Sequence, residues 1–454
     1  MYFALEKHSH IRVYGDFGYI VSPKNHSSHV FNKTGAVFLS VLTHEKKEMN
    51  ELVDEVCKKL NQPQQVFYSD LCSFYKRLLK LGYLKSDIQI ETSKESIFHT
   101  DGNNVDDFFS KQFDKNPILR ACQIEITSTC NERCIHCYIP HEQKINYLSY
   151  SDIKNILSQL SDMGCISITL SGGEVFTHPD ILKILQLLQE FDFSISILSN
   201  LTLLTDEAIE LLKKIDIDKI HVSVYSLNPE THDFITKLSG SLEKTLSNIR
   251  KCSKHDIPIK ISCPTMKANY KDFEELLLWG NENNIQVLTD YNIMARSDNS
   301  TDNLEQRLSE TEAATVIKAI IKNDKSYQKL ISGKENKKMK IDSAAPICHV
   351  GRDKICISST GNFYPCPGWH EMVVGNIKEN SLLSVWRNSE KLNWLRSLKR
   401  SDIMKCIECE NKDFCLLCIQ RNYNETKDVF NVPEHFCKIA ALNKKLVSNY
   451  RNEI

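Results

Sequence analysis

Three cysteines near residue 130 have the residue type and the spacing to hold a metal cluster. Cys130, Cys134 and Cys137 lie within eight residues, in the segment CNERCIHC. Three thiolates can bind three irons of a 4Fe-4S cluster and leave the fourth iron open to a ligand from outside the protein. The alternative is a zinc site that adds His136, but this residue is adjacent to Cys137 and poorly placed to share its tetrahedron. The segment therefore favours an iron-sulfur cluster with one open iron.

The C-terminal part of the chain contains a second and larger group of cysteines. Its seven members are Cys348, Cys366, Cys406, Cys409, Cys415, Cys418 and Cys437. Seven thiolates divide into four and three, enough for one closed cluster and one cluster with a possible open iron. The alternative is a structural zinc ribbon, because a Cys-x2-Cys-x5-Cys-x2-Cys segment can also form a four-thiolate zinc site. We predict that Cys356, between two isoleucines, is instead a buried strand thiol.

Composition restricts the setting in which these cysteines act. The chain has 454 residues and 17 cysteines, and its 57 basic residues nearly cancel its 58 acidic residues. A balanced charge gives no positive field to attract nucleic acid or anionic lipid, so we expect neither partner. No apolar run is long enough for a membrane span, and the N-terminal segment lacks the apolar core of a signal peptide. We expect a cytoplasmic protein whose clustered cysteines bind metal rather than form disulfides.

The elements that must position the first cysteine group read as alternating strands and helices. Strand-like runs lie at 122–127, 166–170, 193–198, 220–225, 259–263 and 285–291. Amphipathic helices separate most of these runs; Ile153, Ile156, Leu157 and Leu160, for example, share one helical face. Six such units predict an α/β fold with a parallel sheet, either doubly wound or a partial barrel. In both folds the active site lies at the C-terminal ends of the strands, so motifs that follow the strands should converge.

Polar motifs do follow the second, third and fourth strands. Gly172, Gly173 and Glu174 come after the second strand. Paired glycines allow the backbone to approach a ligand closely, and a carboxylate can accept hydrogen bonds from an ammonium group. Ser199-Asn200 and Ser223 occupy the corresponding places on the third and fourth strands. The alternative interpretation of these polar residues is a strand-end turn or a buried hydroxyl group.

Together the cysteine loop and these motifs resemble the radical S-adenosylmethionine (SAM) superfamily. Its signature is a Cys-x3-Cys-x2-Cys loop after the first strand of a partial TIM barrel, so the resemblance implies a partial (β/α)6 barrel. It implies that SAM binds the open iron, that Gly172, Gly173 and Glu174 hold the SAM amino group, and that Ser199, Asn200 and Ser223 contact SAM nearby. Leu201 replaces the glycine often found in the family. The implied chemistry is hydrogen abstraction by a 5′-deoxyadenosyl radical, and we assign no catalytic side chain of the protein.

The C-terminal cysteines resemble the SPASM extension of radical SAM peptide-modifying enzymes, which holds two auxiliary 4Fe-4S clusters. The resemblance implies that Cys406, Cys409, Cys415 and Cys437 bind one cluster, and that Cys348, Cys366 and Cys418 bind the other. Here Leu416 and Leu417 separate the last close cysteine pair by two residues, whereas the family usually has three. An open iron in the three-cysteine cluster could bind a thiol of the substrate.

The N-terminal segment resembles the PqqD-like precursor-recognition element, in which three strands precede three helices. We predict strands at 11–13, 18–21 and 27–31, and the segment at 31–60 carries the family's Asn-x-Thr-Gly and amphipathic helices. An exposed edge strand beside a helix could bind an extended leader peptide by β-augmentation. The alternative is a winged-helix-like domain with a structural role only.

We therefore predict five parts: a recognition domain at 1–88, a linker at 89–116, a radical SAM core at 117–310, a connecting segment at 311–347 and a SPASM domain at 348–454. We expect a short ordered patch at Phe108 and Phe109 within the linker. This order is typical of maturases for ribosomally synthesised peptides and implies an oxidoreductase that forms a thioether crosslink. The partners are a precursor peptide and a reducing donor of the flavodoxin or ferredoxin type. Epimerisation, a carbon-carbon crosslink, sulfatase maturation and a zinc-stapled peptide-binding adaptor are the alternatives.

Overall fold

The computed structural model describes residues 1–22, 27–62, 67–88, 105, 108–109, 116–332 and 343–453. An N-terminal domain comes first. Its elements are β1 (Tyr2–Leu5), β2 (His10–Tyr14), β3 (Phe17–Ser22), β4 (Ser27–Phe31), α1 (Lys33–Leu39), β5 (Lys47–Glu48), α2 (Met49–Leu60), α3 (Tyr68–Lys80) and β6 (Leu84–Ser86). The strands form two antiparallel sheets, ordered β5-β1-β6 and β2-β3-β4.

The three predicted N-terminal strands are present as β2, β3 and β4. The third helix of this domain, α3, begins at Tyr68, and residues 63–66 before it lie outside the described residues. Leu71, Tyr75 and Leu78 lie on one face of this helix and are fully buried. The sequence prediction omitted β1, β5 and β6, because these strands have only two to four residues and little alternation to mark them.

The middle of the chain folds into six consecutive parallel strands. These are β7 (Ala121–Thr127), β8 (Ser167–Gly172), β9 (Ser194–Ser199), β10 (Ile217–Ser223), β11 (Ile259–Ser262) and β12 (Gln286–Leu288). The helices after them are α4 (Tyr150–Asp162), α5 (Ile181–Leu187), α6 (Asp206–Leu212), α7 (Pro229–Thr236), α8 (Ser241–Lys254) and α9 (Phe273–Glu282). Apolar residues of α4 are buried against the sheet, and the Ser149 side chain caps its first turn. The predicted partial barrel is confirmed.

The C-terminal part extends the same sheet. Its elements are α10 (Glu310–Asn323), α11 (Lys325–Ser332), β13 (Lys354–Ile357), β14 (Asn362–Tyr364), β15 (Gly375–Asn376), α12 (Leu382–Asn388), α13 (Glu390–Ser397), α14 (Met404–Ile407), α15 (Ile419–Thr426) and α16 (Glu434–Glu453). β13 pairs in parallel with β7 and antiparallel with β14, which gives a nine-stranded sheet. Among the described residues, we find no helix with the length and apolar character needed to cross a bilayer.

The N-terminal domain packs against the loops that precede the barrel strands. The Arg12 side chain donates from Nε to the carbonyl of Cys165 (3.1 Å) and from Nη1 to Asp192 (2.7 Å), and Tyr14 donates to the carbonyl of Gly164 (2.8 Å). His10 lies 2.7 Å from the Asp192 carboxylate. These loops lie just before β8 and β9, so the domain lies at the end of the barrel opposite the C-terminal ends of its strands.

The predicted ordered patch in the linker also contacts this junction. Phe108 packs edge-on against Phe17, with ring centroids 4.9 Å apart, and Phe109 packs against Tyr19 at 5.0 Å. The guanidinium of Arg120, at the start of the barrel, lies over the Phe109 ring at 4.4 Å. The two phenylalanines therefore connect the N-terminal sheet to the barrel. Most of the remaining linker, and residues 333–342 of the connecting segment, lie outside the described residues.

Candidate active site

A cavity of about 350 Å³ lies at the C-terminal ends of the barrel strands. The residues that line it include most of those singled out from the sequence: Cys130, Cys134, Cys137, Gly172, Gly173, Ser199, Asn200 and Ser223. They come from the segments that end or follow β7, β8, β9 and β10, as the strand-end rule for parallel sheets predicts. Four separate stretches of sequence therefore meet at one cavity.

The cysteine loop is fixed by backbone hydrogen bonds to the end of α7. The amide of Arg133 donates to the carbonyl of Thr236 (2.9 Å), and the amide of Ile135 donates to the carbonyl of Ile235 (3.0 Å). On the other side of the loop, the Asn131 side chain donates to the Thr202 hydroxyl (2.7 Å). These hydrogen bonds hold the loop between the ends of β9 and β10. The positions of the three thiols are therefore set by contacts of the loop with the rest of the barrel.

The paired glycines allow β8 to approach the start of the cysteine loop. Gly172 has a φ of +140°, and a Cβ at this residue would lie 1.8 Å from the carbonyl oxygen of Thr127. A Cβ at Gly173 would lie 2.2 Å from the carbonyl oxygen of Thr129. Both distances are far below van der Waals contact, so any side chain here would displace the backbone that leads into the cysteine loop. In this structure the close approach is to the protein's own backbone.

Glu174 lies beneath the cavity and is not one of its lining residues. Its carboxylate accepts hydrogen bonds from the Ser199 hydroxyl (2.7 Å), the Asn200 amide (2.6 Å) and the Phe176 amide (3.1 Å). Burial raises the pKa of Glu174, and these three hydrogen bonds oppose the shift. Its visible role is to join the motif after β8 to the motif after β9. Its predicted contact with the SAM amino group stays a prediction.

The thiols of the loop have the chemistry that an iron-sulfur cluster needs. Burial raises the pKa of Cys130 to about 12, although the nearby Lys144 lowers it, and burial raises the pKa of Cys134 well above its ordinary value. Buried thiols of this kind become stable thiolates only when a cation compensates their charge, and bound iron supplies that charge. Within the described residues, no three metal-binding side chains are grouped tightly enough to enclose a single ion. The fit of a cluster therefore rests on donor chemistry and position.

Several cavity residues were absent from the sequence prediction. Glu132 and Lys144 are 2% and 6% exposed, and Tyr225 lies with its hydroxyl 3.8 Å from the Cys134 sulfur. Burial raises the pKa of Glu132 to about 7. Arg421 of α15 contacts Asp290 across the cavity and so brings the C-terminal part of the chain into the cavity wall. The position of Glu132 between two of the loop cysteines could have identified it as a cavity residue from the sequence. The sequence around Arg421 contains no comparable signal.

A buried carboxylate lies behind the cavity wall. Tyr138, directly after the last loop cysteine, donates a hydrogen bond to Glu125 on β7 at 3.1 Å. Burial raises the pKa of Glu125 to about 7, and the hydrogen bond from Tyr138 opposes this shift. The pair fixes the Tyr138 ring, which lines the cavity, to the first strand of the barrel.

The C-terminal cysteines lie in two spatial groups, and these groups have the same members as the division that the resemblance to the SPASM extension implies. A separate cavity of about 230 Å³ is lined by Cys406, Cys409, Cys415 and Cys437. Burial raises the pKa of Cys415 to about 11, and the other three thiols add to the shift. Leu416 at this cavity is 78% exposed, so the four-thiol site lies close to the protein surface. Four converging thiols match the requirement of a closed cluster.

The other three cysteines form a second group. Burial raises the pKa of Cys366, and the neighbouring Cys418 and Cys348 raise it further. Its sulfur lies 3.0 Å from the amide oxygen of the buried Gln420. Cys356, in contrast, is fully buried on β13 and lies opposite Gln123 of β7, in the strand position that the sequence predicted. The ligand assignments for both groups stay predictions.

Comparisons with known proteins agree with this site. Residues 124–280 match the family model of the radical SAM superfamily, and residues 348–410 match SPASM, an iron-sulfur cluster-binding domain. The antilisterial bacteriocin subtilosin biosynthesis protein AlbA of Bacillus subtilis is 23% identical over 416 residues, which is 86% of this chain and 88% of AlbA. The AdoMet-dependent heme synthase of Methanosarcina barkeri is 26% identical over 335 residues, 69% of this chain and 94% of the synthase.

The fold has a solved counterpart of similar extent. The structure of Streptococcus suis SuiB bound to precursor peptide SuiA superposes with a TM-score of 0.66 at 18% identity, covering 96% of this chain and 99% of SuiB. The chain therefore contains a radical SAM domain and a SPASM domain, and it is an enzyme whose cofactors are 4Fe-4S clusters and SAM. The assignment of Cys130, Cys134 and Cys137 to the cluster that binds SAM stays a prediction, and all three residues line the cavity at the strand ends.

Proposed function

We propose that this radical SAM enzyme modifies a ribosomally synthesised precursor peptide and that the modification is a thioether crosslink. One observation carries the proposal. A single chain joins a three-thiol cavity at the barrel strand ends, two further thiol groups, and an N-terminal domain with an open strand edge. The named AlbA protein belongs to the biosynthesis of a bacteriocin, and SuiB was solved with its precursor peptide. Both relatives favour a peptide substrate here.

The N-terminal domain offers a place for a leader peptide. β4 has one hydrogen-bonded neighbour among the described strands, β3, so its other edge is open to an added strand. Phe31 at the end of β4 packs on Phe74 of α3, with ring centroids 5.0 Å apart, which sets the helix beside this strand. Main-chain hydrogen bonds along such an edge supply affinity, and side-chain pockets between strand and helix supply register. We infer a PqqD-like recognition role for this domain.

The cavity supplies position and charge for the reaction. When bound, SAM would supply a 5′-deoxyadenosyl radical that removes hydrogen from the peptide. The Glu174 hydrogen bonds join two strand ends in the cavity wall, and Arg421 with Asp290 forms part of the wall on the side of the SPASM domain. The cavity is open to solvent, so the bound peptide would have to complete the exclusion of water that protects a reactive species from side reactions. The two remaining thiol groups would hold two auxiliary clusters, and a reducing donor of the flavodoxin or ferredoxin type would supply the first electron.

Thioether formation is favoured by the difference between the two C-terminal thiol groups. Four thiols can satisfy a cluster completely, whereas Cys348, Cys366 and Cys418 leave one iron without a protein thiol. A cysteine of the peptide could take that place and be held ready to form the carbon-sulfur bond. Epimerisation and carbon-carbon crosslinking use the same cavity and need no such thiol. The heme synthase relative favours a small-molecule substrate as a further candidate, but it matches only 69% of the chain.

Coexpression with the peptide encoded beside the gene tests the proposal. The expected product has lost two hydrogen atoms per crosslink, and its cysteine resists alkylation even after reduction. A peptide with Cys→Ser at the crosslinked position should remain unmodified. The Cys134→Ala enzyme, expressed at the same level, serves as the matched control. Unchanged mass with uptake of solvent deuterium would establish epimerisation instead, and a two-hydrogen loss that leaves every cysteine free would establish a carbon-carbon crosslink.

A further inference from the structure

The inner face of the barrel sheet is polar near the N-terminal ends of its strands. Gln123 of β7, Thr169 of β8 and Ser196 of β9 line a second cavity here, of about 540 Å³, which we call the lower cavity. Ile168 and Ile195, their neighbours along the strands, are buried in the hydrophobic core, so the alternation of each strand places the polar residues on the opposite, inner face. Closed parallel barrels fill this space with bulky branched side chains. The small polar side chains here leave a space of the size that ligand-binding cavities have.

The lower cavity borders two regions that the proposed function needs. Tyr19 and Val21 of β3, in the N-terminal domain, line it, and so does Cys366 of the three-thiol group. β3 pairs with β4, the strand whose other edge is open to an added peptide strand. One enclosed space therefore contacts both the docked N-terminal domain and the thiol group at which we expect the peptide cysteine to be held.

The lower cavity and the active-site cavity lie end to end inside the barrel. Ser171 and Leu198, two residues further along β8 and β9 than Thr169 and Ser196, line the active-site cavity. A strand rises about 3.3 Å per residue, so the two linings are only about 7 Å apart along each strand. The Gln123 side chain, which lines the lower cavity, donates a hydrogen bond to the Ser171 hydroxyl at 3.1 Å. This hydrogen bond therefore lies at the boundary between the two cavities.

The lining of the lower cavity suits the main chain of an extended peptide. Within the part of the chain that the structure describes, we find no hydrogen bond for the hydroxyl groups of Thr169, Ser194 and Ser196, all of which line this cavity. A hydroxyl group can donate to a carbonyl and accept from an amide, and an extended peptide offers both groups at every residue. β8 has six residues, so a peptide segment of about the same number of extended residues would span the barrel.

We propose that the segment of the precursor peptide between its leader and its reacting cysteine binds as an extended chain in the lower cavity. The proposal rests on the proposed peptide function and adds the route by which the peptide passes from one end of the barrel to the other. A leader bound to the N-terminal domain lies at the N-terminal ends of the strands, whereas the reaction takes place at their C-terminal ends. The lower cavity joins these ends along the inside of the sheet, so the peptide need not pass over the helices outside.

Binding of the precursor peptide encoded beside the gene to the reconstituted enzyme, measured by fluorescence anisotropy without SAM or reductant, tests this route. Thr169→Phe and Ser196→Phe would fill the lower cavity, and we expect each to weaken peptide binding by about tenfold or more. Ser196→Ala removes one hydroxyl group but leaves the space open, so we expect a loss of less than about threefold. Ser161→Phe introduces the same side chain at an exposed residue of α4 and is the matched control, with no change expected. Iron content and urea unfolding verify that each variant is folded.

A photoreactive peptide locates the bound chain in the wild-type enzyme and so does not depend on how the variants fold. With photoleucine at successive positions between the leader and the cysteine, irradiation should crosslink the peptide to inner-facing residues of β8 and β9, identified by mass spectrometry. Crosslinks confined to the outer helices, or folded Phe variants that bind the peptide as tightly as the wild type, would overturn this route and leave the peptide function intact. Failure of the wild type to bind the peptide would overturn the proposed function and the route with it.

Discussion

The two ends of the barrel use the same strands for opposite purposes. At the C-terminal ends, thiols, the Glu132 carboxylate and the Lys144 ammonium group face a cavity, and Oε1 of Glu132 has no hydrogen-bond partner among the described residues. At the N-terminal ends, charged groups are closely paired: Arg12 and His10 both contact Asp192, and His8 contacts Asp216. The first end is arranged to receive a ligand, whereas the second end is already satisfied by the N-terminal domain.

This difference shows that the cavity and the interface with the N-terminal domain lie at opposite ends of the same sheet. A strand such as β9 begins next to Asp192 and ends at Ser199, so its few residues separate the docking interface from the cavity. Unpaired buried charges reduce stability, and well-packed, paired regions offset that cost elsewhere. Substitutions of the thiol and charged side chains that face the cavity should therefore remove function with small effects on folding, whereas substitutions of the paired side chains at the docking end should change stability and preserve function.

Cys134→Ala should have the largest effect of these substitutions, and we expect the effect to be confined to the functions of the cavity end, namely cluster binding and SAM cleavage. With two of three loop thiols left, we expect SAM cleavage to fall on the order of a thousandfold or more, below detection. Iron content should fall by about a third, if three 4Fe-4S clusters are present in the wild type. The measurements are 5′-deoxyadenosine by chromatography and iron by colorimetry.

Cys252→Ala is the matched control for that substitution. Cys252 is fully buried in α8, away from the three groups of cysteines described above, so its loss should leave iron content and SAM cleavage intact. We expect only a small loss of stability from the missing sulfur. Normal deoxyadenosine formation by Cys134→Ala would contradict the assignment of the loop as the SAM-binding centre.

Cys348→Ala tests the thiol group that lies away from the cavity end. If this group holds the peptide cysteine, crosslinking should be abolished while SAM cleavage continues without product. The measurement is the ratio of deoxyadenosine to crosslinked peptide in the same reaction. Cys356→Ala is the comparison, because this thiol lies fully buried in β13 and we expect it to bind no iron. Parallel loss of cleavage and crosslinking in Cys348→Ala would argue against a separate role for this group.

The sequence predicted the cavity end well because its signals are local. The Cys130, Cys134 and Cys137 spacing, and Gly172 with Gly173 after a strand, are readable within a few residues, and the strand-end rule brings such motifs together. The burial of Glu132 and Lys144 depends on how the loop folds back on the barrel, which spacing alone cannot predict. The direct SAM contact predicted for Glu174 remains untested, since its carboxylate is engaged within the protein.

Long-range pairings account for most of what the sequence could not predict. β13 pairs with β7 across more than two hundred residues, and no local pattern indicates which edge of the barrel receives it. Arg421 reaches the cavity only because α15 packs over the strand ends, where it meets Asp290. The docking of the N-terminal domain by Arg12 and Asp192 is of the same kind. These contacts depend on tertiary packing, which produces no periodic pattern in the sequence of either segment.

Gly172→Ala should destabilise the cavity end without touching a thiol. The added Cβ would lie 1.8 Å from the Thr127 carbonyl oxygen, and the φ of +140° is itself unfavourable for alanine. We expect a loss of about 3 kcal/mol or more in the free energy of unfolding, measured by urea titration. Gly240→Ala is the control: its φ is +73°, but no atom lies within 4 Å of the new Cβ, so about 1 kcal/mol is expected. Equal losses would show that the close approach of β8 to the loop is unimportant.

Asp192→Asn should produce the smallest effect, confined to the docking end and dependent on pH. Burial alone would lower the pKa of His10, but its hydrogen bonds and charge interactions with Asp192 and Asp216 outweigh burial and raise the pKa to about 9. A raised histidine pKa stabilises the folded state fully below the unfolded value of about 6.5, and this contribution is lost as pH rises through about 9. Because Asp192 is 44% exposed, solvent screening limits the expected contribution to about 1–2 kcal/mol. Wild-type stability, measured by urea titration, should therefore decrease between pH 6.5 and 9.5, and the Asp192→Asn variant should show a flatter profile with SAM cleavage preserved. A variant that loses SAM cleavage while keeping the wild-type pH profile would show that the two ends of the barrel are not independent.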